Sequence, residues 1–133
     1  YREVQFFSHV IHLVSKVTGQ KHAETPTMQV VADTFPAGTL SGAPKHRAMQ
    51  LIGEIENFQR EFYSGTMGLI DENGDYELPV IIRSVFYNSL KKEVWFATGG
   101  AITCQSDPEN EYEECLLKAG TMLKALNGRL AQI

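Results

Sequence analysis

Several groups of residues in this chain have types and spacing that could do chemistry. The stretch Phe35–Lys45, FPAGTLSGAPK, holds two glycines, two prolines, the hydroxyls of Thr39 and Ser41, and a closing Lys45. Pro44 falls where it would open a following helix, whose free N–H groups and positive dipole end favour an anion. A carboxylate or phosphate would find several donors there. The alternative is a glycine-rich helix entry with no ligand, because the pattern is not the phosphate loop GxxxxGK[ST]. Arg83 stands inside the apolar run LPVIIRSVFY, where a charge needs a partner or a bound anion. Glu111, Glu114 and Lys118 occupy one helix face, and two carboxylates one turn apart can hold magnesium with waters completing the shell. The alternative there is a solvated face with an ion pair from Glu114 to Lys118. His12, between Val10 and Val14, is either a hydrogen-bonded core group or a site group.

The bulk numbers bound what these groups could serve. The chain has 133 residues, is 43% hydrophobic and 21% charged, and carries a formal charge of -4. That is the size of about one globular domain, long enough to bury a core. A mildly acidic balance argues against nucleic-acid binding, which needs a basic face. No apolar run approaches membrane-spanning length and no signal-peptide pattern opens the chain, so a soluble, cytoplasmic protein is expected. Cys104 and Cys115 are too few for a disulfide framework or a zinc site, and are read as two thiols in a reducing compartment.

The elements that must position these groups read as α+β. Val4–Gly19 has apolar residues on both alternating faces and predicts one long buried strand. Pro26–Phe35, with Thr25 as cap, predicts a short helix, and His46–Phe58 an amphipathic one. Phe62–Asp71, Leu78–Tyr87 and Glu93–Thr103 predict three strands of an antiparallel meander, the first two joined by an Asn73-Gly74 tight turn. Gly65 and Gly68 mark a bulge or a close backbone approach. Pro108–Leu126 predicts a final helix with Tyr112, Cys115, Leu116, Ala119, Met122, Leu123 and Leu126 as its buried stripe. An antiparallel sheet packed with two or three helices is expected, as part of a larger sandwich.

Six segments, in order, resemble the chorismate-utilising enzymes, a family that includes anthranilate synthase component I, aminodeoxychorismate synthase component I and their isochorismate and salicylate synthase relatives. They are SHVIHLVSKVTG at Ser8–Gly19, FPAGTLSGAPK at Phe35–Lys45, YSG at Tyr63–Gly65, IIRS at Ile81–Ser84, GGAIT at Gly99–Thr103 and SDPENEYEECLLKA at Ser106–Ala119. The resemblance covers essentially the whole chain. It implies that residues 1–133 form the C-terminal portion of a chorismate-binding catalytic domain. It places His12 and Thr39 beside the ring as catalytic positions. It assigns Tyr63, Arg83 and the backbone of Gly99 to the enolpyruvyl carboxylate, and Lys118 to the neighbourhood of the ring carboxylate. Glu111 and Glu114 become ligands of Mg2+.

The activity so implied is magnesium-dependent amination of chorismate to anthranilate with release of pyruvate, in tryptophan biosynthesis. Ammonia would come from a glutamine amidotransferase subunit. Aminodeoxychorismate formation in folate biosynthesis is the alternative, and a non-catalytic remnant that binds a carboxylate or a partner is another. The family's proton-transfer residues and a further acidic stretch lie upstream of the matched region. The 133 residues alone are therefore expected to be inactive and, through exposed sheet edges and apolar surface, either to self-associate as a homo-oligomer or to be marginally stable.

Overall fold

A computed structural model of the chain describes residues 2–7 and 11–129. It divides into two compact units, residues 1–34 and 35–133. In the first, β1 (Glu3–Phe6) pairs antiparallel with β2 (Ile11–Val14), with Glu3 opposite Val14 and Phe6 opposite Ile11. The segment expected as one long buried strand thus doubles back. Apolar residues on both faces satisfy a hairpin as well as a single strand, and no Gly, Pro or Asn marks a turn there. Ser8, His9 and Val10 lie outside the described residues. Phe6, Ile11 and Leu13 are 76%, 62% and 70% exposed, so the burial expected of this segment is absent from these positions. Helix α1 (Thr27–Thr34) follows, with the carbonyl of Pro26 accepting from the amide of Gln29 at 3.0 Å.

The second unit carries the remaining elements. Its glycine-rich stretch contains a single helical turn, α2 (Gly38–Ser41), before α3 (Lys45–Ile55). Pro44 caps α3 from an extended conformation (φ -66°, ψ 132°) rather than sitting inside it. The helix ends three residues before the expected Phe58, because Glu56 turns extended at φ -71°, ψ 123°. Gly42 joins α2 to α3 with φ 126°, and a Cβ built on it would lie 2.9 Å from that of Ala48. Both facts demand glycine.

The expected meander is replaced by short antiparallel pairs. β3 (Leu69–Ile70) pairs with β4 (Tyr76–Glu77), and β5 (Phe86–Asn88) pairs with β6 (Glu93–Trp95). Beyond β3–β4 the same two segments stay joined by an isolated bridge from Thr66 to Val80 and by the amides of Ser64 and Ile81, which donate to the carbonyls of Ile81 and Gly65 at 3.0 and 2.9 Å. The middle strand fails where Pro79 removes a ladder donor and Arg83 takes a left-handed backbone at φ 51°. The Asn-Gly turn is looser than a two-residue hairpin. The amide of Asp71 donates to the carbonyl of Asp75 at 3.0 Å, and one Asp71 carboxylate oxygen accepts from the amides of Asn73 and Asp75 at 2.8 and 2.9 Å. Gly68 does approach another backbone closely, lying against the carbonyl of Glu77 where no side chain fits. Phe86 stacks on Trp95 at 4.2 Å and on Phe62 at 5.7 Å, tying the β5–β6 pair to the segment before β3.

Helix α4 (Pro108–Ala125) forms as its sequence predicts, one residue shorter at the C-terminus. The Asp107 carboxylate accepts from the amide of Asn110 at 3.0 Å, Pro108 opens the first turn, and Glu109 and Glu111 face the positive dipole end. Its other end closes with Asn127 left-handed at φ 56°, the amide of Asn127 donating to the carbonyl of Lys124 and that of Gly128 to Leu123 at 2.8 Å. The expected buried stripe narrows to Ala119 and Met122, with Cys115 and Leu123 half-buried. Tyr112, Leu116 and Leu126 stay exposed. No helix among the described residues is long and apolar enough to cross a membrane.

Replacing Gly42 by Ala should cost about 1–3 kcal/mol through backbone strain and the Ala48 clash. A lowered thermal midpoint is expected for this variant, with Gly38→Ala, which would meet nothing within 4 Å, as the control. Equal midpoints would show that the α2–α3 junction is not constrained in this way.

Candidate functional site

In the second unit, α2, the 60–65 segment, the 82–83 turn, the 97–102 segment and α4 line one cavity of about 480 Å³ that opens to solvent. Its lining includes Thr39, Tyr63, Arg83, Gly99 and Lys118, five of the residues singled out from the sequence. The 97–102 segment is not paired as a strand. It is held by α4: Lys118 Nζ donates to the carbonyl of Gly99 at 3.0 Å, and Thr98 Oγ1 donates to the carbonyl of Cys115 at 3.2 Å.

Gly99 and Gly100 allow the approach that follows. A Cβ on Gly99 would lie 3.0 Å from the Tyr63 hydroxyl, and one on Gly100 would lie 2.9 Å from Glu111 Oε2. Backbone therefore runs between a phenol and a carboxylate with no side chain of its own. The other Glu111 oxygen accepts from Ser106 Oγ at 2.7 Å, which orients the carboxylate. Glu114 pairs with Lys118 at 2.8 Å, as the helix spacing allows. The Lys118 ammonium, first through that hydrogen bond and then through its charge, holds the Glu114 carboxyl below the ordinary range, and a smaller effect of the same sign comes from a hydrogen-bonding contact with Glu111.

Arg83 differs from its expected setting. It is exposed rather than buried in a strand, and the left-handed backbone that turns it toward the cavity costs about 1–2 kcal/mol for a non-glycine residue. Among the described residues no carboxylate lies within ion-pair distance of it. The Thr39 hydroxyl likewise makes no hydrogen bond to a described residue, whereas Ser41 Oγ is spent on the carbonyl of Ala37 at 3.1 Å. Lys45 opens α3 and does not line the cavity. His12 belongs to the N-terminal unit, where its ring meets Phe7 edge-on at 5.7 Å.

Arg60 and Glu56 were not singled out by the sequence reading, yet both line the cavity. The Arg60 guanidinium forms a two-pronged pair with Glu56 (Nε to Oε2 2.8 Å) and donates to the carbonyl of Leu40 at 2.8 Å. A glutamate and an arginine four apart are a signal for such a pair, but Arg60 lies beyond the end expected for α3 at Phe58, where helical spacing no longer applies. The Glu56 hydrogen bond, against the opposing effect of burial, raises the Arg60 pKa.

This arrangement can bind an anion. Among the described residues, the Arg83 guanidinium has no acidic partner and the hydroxyls of Thr39 and Tyr63 make no hydrogen bond, and two carboxylates, Glu111 and Glu114, stand one helical turn apart on α4. The chain belongs to the family of chorismate binding enzymes, whose model matches residues 1–124. Anthranilate synthase component 1 of Aquifex aeolicus (strain VF5) is 39% identical over 126 residues, covering 95% of this chain and 25% of that protein. The Lactococcus lactis subsp. lactis (strain IL1403) protein of the same name is 40% identical over 124 residues, 93% of this chain and 27% of its own. The crystal structure of anthranilate synthase component I from Streptococcus pneumoniae TIGR4 superposes with a TM-score of 0.77 at 38% identity, over 92% of this chain and 28% of that one. The α+β architecture is that of the corresponding part of this structure, and the chain spans about a quarter of the length of the relatives it matches.

Burial raises the Tyr63 pKa above the ordinary value of 10.0, with the nearby Arg60 charge opposing the shift. A raised folded-state pKa means that the stability linked to this proton is fully present below the unfolded value and is lost as pH rises through the folded one. Tyr63 is accordingly a hydrogen-bond donor throughout the neutral range. In a spectrophotometric titration, the tyrosinate signal lost on Tyr63→Phe should have its midpoint above pH 10. A midpoint below that value would overturn the assignment.

Proposed function

We propose that this chain supplies the carboxylate-binding wall of an active site of the anthranilate synthase component I type, where chorismate is aminated and pyruvate released. The observation that carries the reading is Arg83: a guanidinium with no acidic partner among the described residues, turned into a 480 Å³ cavity beside the Tyr63 hydroxyl and the Gly99 backbone. That volume lies in the range of small-ligand pockets, and a guanidinium offers the two-pronged geometry a carboxylate accepts. Tyr63 adds a protonated phenol to the same anion, and Thr39 adds a hydroxyl. The names of the relatives support anthranilate rather than aminodeoxychorismate as the product.

Glu111 and Glu114 fit a magnesium ion in the chemistry of their donors. Two carboxylates one helical turn apart are hard oxygen ligands of the kind magnesium takes. Among the described residues no group of three or more such side chains gathers, so water and substrate oxygens would fill the remaining positions. When bound, the ion would neutralise and orient the substrate's ring carboxylate. Ser106 holds Glu111 in place for this task, and Lys118 balances Glu114 while its tether to Gly99 fixes the cavity wall.

In the overall reaction ammonia adds to the ring as the ring hydroxyl departs as water, and loss of pyruvate then yields the aromatic amine. A glutamine amidotransferase subunit is the proposed source of ammonia. The test is calorimetric titration of the protein with chorismate and magnesium, alongside a fluorescence assay for anthranilate with ammonium as nitrogen donor. Arg83→Ala should weaken chorismate about ten- to a hundredfold, the worth of hydrogen bonds to a charged group, and Arg83→Lys should restore only part of it. Glu111→Gln should weaken magnesium while leaving the fold's thermal midpoint nearly unchanged. Unaltered chorismate affinity in Arg83→Ala would remove the observation on which the reading rests.

A further inference from the structure

The cavity holds two arginines in opposite electrostatic conditions. Arg83 has no acidic partner among the described residues, whereas Arg60 is neutralised by Glu56 through both prongs of its fork. A guanidinium engaged in this way has little charge left for a ligand, but it still has donors to place. Nη1 of Arg60 donates to the carbonyl of Leu40 at 2.8 Å and reaches Ser64 Oγ at 3.4 Å, and the guanidinium carbon lies 6.0 Å from the centre of the Tyr63 ring.

Each of these contacts falls on an element that carries a candidate ligand-binding group. Leu40 lies in α2, a helix of four residues, which leaves nearly all its carbonyls without helical partners. A cation at the C-terminal end of such a turn both satisfies a carbonyl and meets the negative end of the dipole. Thr39 is the neighbouring residue, so whatever fixes Leu40 fixes the Thr39 hydroxyl. Ser64 holds a left-handed backbone at φ 65° immediately after Tyr63. Glu56 is the residue that caps the C-terminal end of α3.

We infer that Arg60 is a positioning residue: with Glu56 it clamps α2 and Tyr63 into one preformed wall of the cavity, so that Thr39 and Tyr63 meet the ligand already in place. This inference rests on the reading of the cavity as a carboxylate site. The clamp itself is a property of the unliganded protein and can be read without any ligand. Preorganisation of this kind raises affinity by removing ordering costs that binding would otherwise bear.

The test compares the wild-type protein with Arg60→Gln and Arg60→Lys by amide hydrogen exchange without ligand, tyrosine titration and chorismate titration. The amides of Leu40, Ser41 and Gly42, bonded within the α2 turn, should exchange at least about tenfold faster in Arg60→Gln, and Arg60→Lys, which keeps the charge but loses the fork, should restore less than half of that protection. The Tyr63 phenol should ionise at higher pH in Arg60→Gln, a response that general loosening would not produce, since exposure to water would lower it. Chorismate affinity should fall with Arg83 intact. Weaker chorismate binding with unchanged exchange in residues 38–42 would make Arg60 a direct ligand and overturn the inference. Unchanged exchange with unchanged affinity would overturn it as well. If Arg60→Gln does not fold, the exchange pattern of Arg60→Lys decides the matter by the same criterion. Wild-type protein that fails to bind chorismate would sink the functional reading, and the exchange data would still judge the clamp.

Discussion

The close approach of backbone at Gly99 and Gly100 is the constraint on which the second unit depends. Tyr63 lies against one glycine and Glu111 against the other, at separations where an added Cβ would make the phenol or the carboxylate shift. The segment has no strand partner to hold it, so its position comes from α4, through Lys118 on the Gly99 carbonyl and Thr98 on the Cys115 carbonyl. Helix α4 is anchored in turn by Ala119 and Met122, the described residues that are buried, at 6% and 5% exposure. Met122 also lines the cavity, so the small core and the site share a wall. A larger residue at either glycine would move the phenol or the carboxylate, and with it one of the groups suited to an anion or a cation.

The second organising feature is the distribution of charge. Lys118 is satisfied by Glu114 and a carbonyl, Arg60 by Glu56 and a carbonyl, and Arg83 by none of the described acidic groups. Partly exposed pairs such as these contribute little to stability by themselves. Their effect is geometric: two cations hold backbone in place, and the third, exposed at the cavity, has no acidic partner among the described residues. Its left-handed backbone fits the tendency of strained conformations to gather at functional sites.

The rest of the chain is held by local devices more than by a deep core. Large apolar side chains such as Phe6, Val17, Leu90, Ile102 and Leu117 are exposed. Order in the second unit rests visibly on caps and turns: Asp107 and Asn127 at the ends of α4, Asp71 across the β3–β4 turn, and the Phe62, Phe86 and Trp95 stack. For Asp71, the backbone donors hold its carboxyl below the ordinary range, so the turn's contribution is present above the unfolded pKa and fades as acid titrates it.

Much of this was legible in the residues themselves. Helix α4 follows from Asp107, Pro108 and the apolar spacing behind them, because capping and periodicity are local properties. The six family segments announced the fold class, and Thr39, Tyr63, Arg83, Gly99 and Lys118 do line one cavity. What local patterns could not carry was pairing. Alternating apolar residues at Val4–Gly19 are equally compatible with one strand or a hairpin, and Leu78–Tyr87 read as a strand until Pro79 and Arg83 broke it. The clamp of Arg60 on Leu40, twenty residues distant, was invisible for the same reason. Sequence spacing determines which residues share a face of one element. Only the tertiary structure decides which elements meet, because contacts between them depend on where the chain turns and on which carbonyls are left without partners.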